Sequence, residues 1–174
     1  QKIVGKMFTD SQSYQDRLRT AAATAAKTKV EQDGIKAEVS RAQAQGYGLK
    51  GIAGQVKITN DAGQPETVSA EEYGIRQIKD KWGKQYSDAV NAGQMTAAQA
   101  KPEMERRVFL ELQNHGVIDK QTQAQFVGAL SGNIISKDGT VKPAAVQAYD
   151  TYLTLSTTPG LNPGYLSKVV GDEP

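Results

Sequence analysis

The longest pattern of apolar and small residues lies in the first quarter of the chain. Between Thr9 and Gln45 these residues recur at alternating spacings of four and three positions, which is a heptad stripe on one face of an α-helix. We expect Thr9 or Asp10 to cap this helix at its N-terminus. The middle of the stripe is weak, because Thr28 and Gln32 are polar. The stripe consists of Tyr14, Leu18, Ala21, Ala25, Thr28, Gln32, Ile35, Val39 and Ala42.

Such a stripe needs a partner surface, because helices in proteins gain most of their stability from tertiary packing. One interpretation places the helix in a bundle with the later helices of the same chain. The other makes it an interface helix between copies of the chain. The second interpretation assigns the oligomer interface to Tyr14, Leu18, Ile35 and Val39.

The pattern changes after Gln45. Four glycines lie between Gly46 and Gly54, which is typical of a helix stop followed by a connection. Val56 and Ile58 then alternate with polar residues, and a turn sequence begins at Asn60. This segment predicts one short β-hairpin near residues 54–68.

The remaining sequence predicts helices separated by turns. Two capping-box sequences begin at Ser69 and Thr96, and Pro102 predicts either a kink or the true start of the second of these helices. The fold class is therefore mainly α, a helical bundle with a long N-terminal helix and one small β-hairpin. Further helix starts are predicted at Asp119, Pro143 and Asn162-Pro163.

These patterns divide the chain into a long helix at 9–46, a Gly-rich linker with the hairpin at 47–68, and a helical subdomain at 69–171. The chain begins at Gln1 without Met and stops at Pro174. We expect it to be a segment of a larger protein.

Composition narrows the classes of function. Apolar residues make up 38% and aromatic residues 6% of the chain, so we expect half-buried helices that pack against partners. The 21 basic and 19 acidic residues give a net charge of +2, which does not indicate a nucleic-acid or membrane surface. The chain has no Cys, which excludes disulfides and thiolate chemistry.

One short motif suggests nucleotide binding. The stretch GYGLKG, from Gly46 to Gly51, matches the G-x-G-x-x-G fingerprint of dinucleotide-binding turns. That turn requires a buried strand before the first glycine and a helix after the last. Here a polar helix precedes it and a strand follows, so we expect a helix stop and no bound nucleotide or other cofactor.

The single histidine offers little for metal or nucleophilic chemistry. His115 shares a helix face with Glu111, and one His with one Glu makes at most a partial metal site. No G-x-S-x-G motif is present for a Ser-His-Asp triad. We expect His115 to lie in the last turn of its helix, where a partly cationic imidazole interacts favourably with the helix dipole. We expect no metal site.

Paired carboxylates are the remaining candidates for catalysis, because glycoside hydrolysis uses two of them. Two of the three close pairs lie at predicted helix starts, where acidic residues favour the helix dipole. We therefore expect no enzyme activity and no catalytic residues. The pairs are Glu71/Glu72, Glu103/Glu105 and Asp172/Glu173.

Aromatic residues could instead stack nucleic-acid bases. Trp82 and Tyr86 lie on one helix face with Ile75 and Ile78, and Tyr73 lies nearby. We expect core packing rather than base stacking on this face.

The order of elements resembles a region of the internal virion proteins of short-tailed phages of the autographivirus type. In the tube-forming member, a long helix rich in Ala, Lys and Gln leads into a Gly-containing β turn, and helices follow. The segment GTVKPAAVQAYDTYLTLSTTPGLNPGYLSKVV is similar in plan to the end of that region. The resemblance covers Asp10 to Asp172 and depends on plan and spacing.

The resemblance implies a structural protein of the capsid core that is ejected and forms a conduit for DNA across the host envelope. It implies a cyclic homo-oligomer whose partners are other internal core proteins, the portal and tail, and DNA that passes without sequence-specific binding. The protein would lie inside the virion and then in the host envelope and periplasm. The alternative is a peptidoglycan hydrolase domain attached to an ejection protein.

Overall fold

A computed structural model shows a mainly helical protein with a two-stranded antiparallel sheet, so the predicted fold class is confirmed. The structure describes residues 2–60, 62–130 and 134–171, with side chains from Ser13 onward. In chain order the elements are α1 (Lys2–Gln45), β1 (Gln55–Thr59), β2 (Pro65–Ser69), α2 (Ala70–Asn91), α3 (Ala97–Asn114), α4 (Lys120–Leu130), α5 (Pro143–Ser156) and α6 (Pro163–Val170).

Helix α1 starts earlier than the sequence predicted. It begins at Lys2, so Thr9 and Asp10 lie inside the helix and the predicted cap is wrong. Both residues are also acceptable in helix interiors, where their only cost is a modest loss of propensity. The predicted stop is confirmed, because α1 ends at Gln45 and Gly46 adopts a φ of 70°.

The hairpin forms where the alternating pattern predicted it. Val56 pairs with Val68 across the two strands, and both side chains are buried on the inner face. The Asn60 side-chain oxygen accepts from the Gln64 amide at 2.9 Å, and Gly63 supplies a φ of 75°. The short polar turn therefore fixes the register of the two strands.

Local capping interactions set the starts of α2 and α3. Ser69 accepts from the Glu72 amide at 3.1 Å, although Glu72 pairs with Arg76 instead of completing the capping box. Thr96 and Gln99 form the full reciprocal box. This box places the start of α3 before Pro102, which lies within the helix, so the alternative start at Pro102 is wrong.

One hydrophobic cluster joins all three predicted segments of the chain. Helices α2 and α3 form its largest packed pair, and the C-terminal end of α1 lies against α2 and β1. The segment boundaries therefore follow secondary structure and do not separate independent cores. The most deeply buried large side chains are Val39, Leu49, Val56, Ile75, Ile78, Leu112, Val117, Leu155 and Val169.

A glycine allows the close approach of α1 to α2. A Cβ atom at Gly74 would lie 2.8 Å from a Leu49 methyl carbon and 3.3 Å from one of Val39. The Gln43 side-chain amide also donates to the Gly74 carbonyl at 3.0 Å. Residues 39–49 are thus fixed against the first turns of α2.

Helices α4, α5 and α6 form the other end of the body and pack on one another. Asn162 caps α6 by accepting from the Gly164 amide at 2.8 Å, and Pro163 takes the first helical position as predicted. The Tyr165 hydroxyl donates to the Val117 carbonyl at 2.9 Å, which joins α6 to the end of α3. Burial raises the pKa of this hydroxyl, which keeps it protonated as a donor.

Candidate functional site

Residues 13–34 of α1 precede the packed part of the chain and are exposed, except for Thr28 and Gln32, which are half-buried. We call residues 13–34 the arm. Two residues of the predicted interface lie on it, Tyr14 with 62% of its surface exposed and Leu18 with 49%. At 1.5 Å per residue the arm extends for about 33 Å. It therefore presents an apolar and small-residue stripe to solvent.

The other two predicted interface residues are used inside the chain. Val39 is 0% exposed and packs in the hydrophobic cluster, and Ile35 packs against that cluster and lies close to Gly54. Val39 therefore packs within its own chain, which corrects its assignment to a contact between copies. The stripe continues through α1, but α2 and β1 cover only its C-terminal end.

Few interactions of its own stabilise the arm. The Thr20, Thr24 and Thr28 hydroxyls each donate to the carbonyl one turn earlier, a bond that weakly favours bending. Lys29 pairs with Asp33 at 2.7 Å on the exposed surface, where an ion pair contributes little. Helix propensity alone leaves such a segment marginal in water.

The glycine-rich stretch after α1 has a structural role. The Leu49 amide donates to the His115 carbonyl at 3.1 Å, and the Leu49 side chain is fully buried. The next element is strand β1 and not a helix. The stretch therefore presents no helix N-terminus to a phosphate group.

His115 ties this stretch to the end of α3. It is the C-cap residue of α3 and is buried, with Nδ1 2.6 Å from the Tyr47 carbonyl oxygen. Its Nε2 lies 4.0 Å from the Glu111 carboxylate. Within the described residues no group of three metal-binding side chains comes together.

Glu111 instead organises the polar edge of the α2–α3 pair. Its carboxylate accepts from Trp82 Nε1 at 2.5 Å and from Lys81 Nζ, which lies 4.9 Å from the Trp82 ring centre. Tyr86 lies 6.3 Å from the same ring in a tilted arrangement. Trp82 is half-buried against the core, so this aromatic pair covers the core margin and forms no open stacking platform.

An opening lined by described residues lies between α3, α4 and α5, and we call it the groove. Its volume is about 600 Å³, within the roughly 300–1,000 Å³ of typical ligand pockets. Apolar side chains and small residues of facing helices form most of its surface. The lining includes Met104, Glu105, Phe109, Asp119, Phe126, Ala129, Ala144 and Ala148.

The two carboxylates of the groove differ in their environment. Asp119 accepts from Lys79 at 2.8 Å and from the Thr122 hydroxyl at 2.6 Å. Burial acts to raise the pKa of Asp119, but these hydrogen bonds outweigh it, and the net pKa is lowered. Burial raises the pKa of Glu105, whose cationic neighbour Lys101 lies 4.0 Å away.

The carboxylate pairs considered for catalysis are not arranged as pairs. Glu72 is bound to Arg76 and Glu103 to Arg106, whereas Glu105 points into the groove. Asp119 is committed to Lys79 and to the start of α4. The pair Asp172/Glu173 lies outside the described residues.

The groove is the feature that sequence analysis missed. Asp119 was expected only as a helix cap, and its partner Lys79 is 40 residues away along the chain. The repeated small residues of α4 and α5, such as Ala129 and Ala144, were the only local sign that these helices leave space between them.

The chain matches no protein-family model, no curated protein and no solved structure. Among the described helices, none is long and apolar enough to cross a lipid bilayer.

Proposed function

We propose that this chain is a structural subunit that assembles through the arm of α1. The observation that carries this proposal is the exposure of Tyr14 and Leu18 on a heptad stripe whose last two positions, Val39 and Ala42, are buried. A helix whose stripe is buried at one end and exposed at the other is incomplete in isolation. A neighbouring subunit would supply the missing contact.

The kind of assembly follows from the resemblance to internal virion proteins of short-tailed phages. We propose a cyclic homo-oligomer that belongs to the capsid core, with other core proteins, the portal and the tail as its partners. After ejection the subunits would form a conduit for DNA in the host envelope and periplasm. The net charge of +2 supports this proposal, because a weakly charged wall retains DNA weakly.

The alternative function, a peptidoglycan hydrolase domain, is favoured by one observation. Glu105 lies in the groove with a raised pKa, which is the state required of a general acid. Hydrolysis of a glycosidic bond also requires a second carboxylate. Asp119, the other carboxylate of the groove, is held by Lys79 and Thr122, so we favour the structural function.

The proposal is tested by replacing Leu18 with Asp and measuring the mass of the chain by sedimentation equilibrium over a range of micromolar concentrations. The charge on the stripe should abolish association. Val30→Asp is the matched control, since Val30 is 72% exposed on α1 and lies about 160° around the helix from Tyr14 at 3.6 residues per turn.

We expect the unaltered chain and Val30→Asp to associate equally and Leu18→Asp to be monomeric. A monomeric unaltered chain, or equal association of all three, would rule out assembly through the arm. Murein cleavage that is lost in Glu105→Gln would instead establish the alternative.

A further inference from the structure

We propose that the arm of one subunit docks in the groove of a neighbouring copy, with Arg17 of the arm facing Glu105 of the groove. This inference rests on the proposed function and adds the surface that receives the arm. Two unpartnered features of one chain complement each other in shape and charge, and the resulting contact is head-to-tail.

The arm and the groove match in shape. Tyr14, Leu18 and Ala21 follow the i, i+4, i+7 spacing of helices that lie in apolar grooves. The groove offers aromatic and aliphatic side chains, among them Phe109 and Phe126, between helices that carry small residues. Its volume of about 600 Å³ accommodates the Tyr14 ring and the Leu18 side chain together.

The arm and the groove also carry side chains of opposite charge, Arg17 and Glu105. Arg17 is exposed, forms no ion pair with any described side chain, and lies about 60° from Tyr14 around the helix, at the margin of the stripe. Glu105 is a largely buried carboxylate whose Oε1 has only a 3.3 Å contact from Thr151 and a 4.0 Å contact from Lys101. An arginine delivered to it would compensate this burial.

The occupant of the groove is the arm of a second copy of the chain. Helix α1 continues without interruption from the arm to Gln45, where it is packed against α2. The arm of the same chain could enter its own groove only by breaking this helix. A neighbouring copy meets no such obstacle, and a head-to-tail contact generates a ring when its rotation closes.

Complementation distinguishes this contact from pairing of two arms. Leu18→Asp has a defective arm and an intact groove, whereas Glu105→Lys has an intact arm and a defective groove. Each variant alone should be monomeric, and an equimolar mixture should form a heterodimer that grows no further. If two arms paired with each other instead, Glu105→Lys would associate normally, and adding Leu18→Asp to it would form no heterodimer.

The second test reverses the charges of Arg17 and Glu105. Because Arg17 is exposed, this test does not depend only on a substitution at a buried position. Arg17→Glu should weaken association by about tenfold or more, equivalent to about 1.4 kcal/mol, and combining it with Glu105→Lys should restore association. Arg19→Glu is the matched control, since Arg19 is exposed and lies about 140° from Tyr14 on the same helix. Glu103→Lys is the control on α3, where Glu103 pairs with Arg106.

The outcomes separate the two proposals. If Leu18→Asp abolishes association while Arg17→Glu and Glu105→Lys leave it intact, the arm retains its function and the groove is not its receptor. If the unaltered chain is monomeric, both proposals fail. Circular dichroism of Glu105→Lys, with Glu105→Gln as the milder variant, verifies that loss of association is not loss of folding.

Discussion

The two ends of α1 carry the same repeat and have opposite environments. Leu18 and Val39 both occupy the stripe, yet the first is half exposed and the second is inaccessible to solvent. The difference comes from residues far along the chain, because the glycine at position 74 lets α2 approach only the C-terminal end of the helix. A periodic stripe therefore defines which face of a helix is apolar, whereas the fold decides what covers it.

The largest expected effect comes from placing a charge at the covered end. Val39→Asp should lower the free energy of unfolding by about 3–5 kcal/mol, because the carboxylate would be buried without a partner. Urea denaturation of the unassociated chain gives this value. A loss below about 1 kcal/mol would mean that the end of α1 is not packed as described.

The Lys79–Asp119 pair tests how firmly the groove side of the body is held. At neutral pH, Asp119→Asn should lower the free energy of unfolding by about 1.5–3 kcal/mol, because hydrogen bonds to a charged group usually contribute this much. The folded-state pKa of Asp119 is lowered, so this stability is present above the unfolded-state pKa and is lost as pH falls through the folded-state value.

The difference in free energy of unfolding between Asp119→Asn and the unaltered chain should therefore decrease as pH falls below the ordinary aspartate pKa of 3.8. Asp80→Asn is the control, because Asp80 is exposed and adjoins Lys79 in sequence. A difference that does not depend on pH would show that the charge of Asp119 contributes nothing. Urea denaturation at several pH values measures it.

The close approach at the covered end predicts an effect of intermediate size. Gly74→Ala should destabilise the chain by about 1–3 kcal/mol, because the added methyl group would overlap Leu49 and crowd Val39. Gly83 lies in the same helix with open space where a Cβ would be added, so Gly83→Ala should stabilise the chain by about 0.5–1 kcal/mol. Thermal denaturation that gave both variants the same sign would contradict the described packing of α1 on α2.

The smallest effect on folding is expected at the exposed end. In the unassociated chain, Leu18→Asp should change the free energy of unfolding by no more than about 0.5 kcal/mol, because half of the Leu18 surface is exposed and the residue lies outside the hydrophobic cluster. The variant should thus affect association and spare folding. Urea denaturation at low protein concentration measures this, and a loss comparable to that of Val39→Asp would place Leu18 in the core.

Much of the fold followed from local sequence, because helix caps and turns depend on neighbouring residues. Thr96 with Gln99, and Asn162 with Pro163, marked helix starts that the structure confirms. The hairpin followed equally from alternation and from the turn at Asn60. Each of these signals lies within a few residues of the feature it predicts.

Much less of the candidate site could be predicted from the sequence, because the site depends on tertiary contacts. The Lys79–Asp119 pair joins α2 to α4, and Glu105 enters the groove only because α3 packs beside α5. The four predicted interface residues could not be separated by the heptad pattern, which repeats identically at Leu18 and Val39. Only the packing of α1 distinguishes the covered end from the arm.

Amide hydrogen exchange, followed residue by residue as protein concentration rises, tests the central claim most directly. We predict that residues 35–45 are protected at every concentration, whereas the arm exchanges rapidly in the dilute chain and becomes protected as the chain associates. The arm of Leu18→Asp should stay unprotected throughout. Protection of the arm that equals that of residues 35–45 and is independent of concentration would contradict the account.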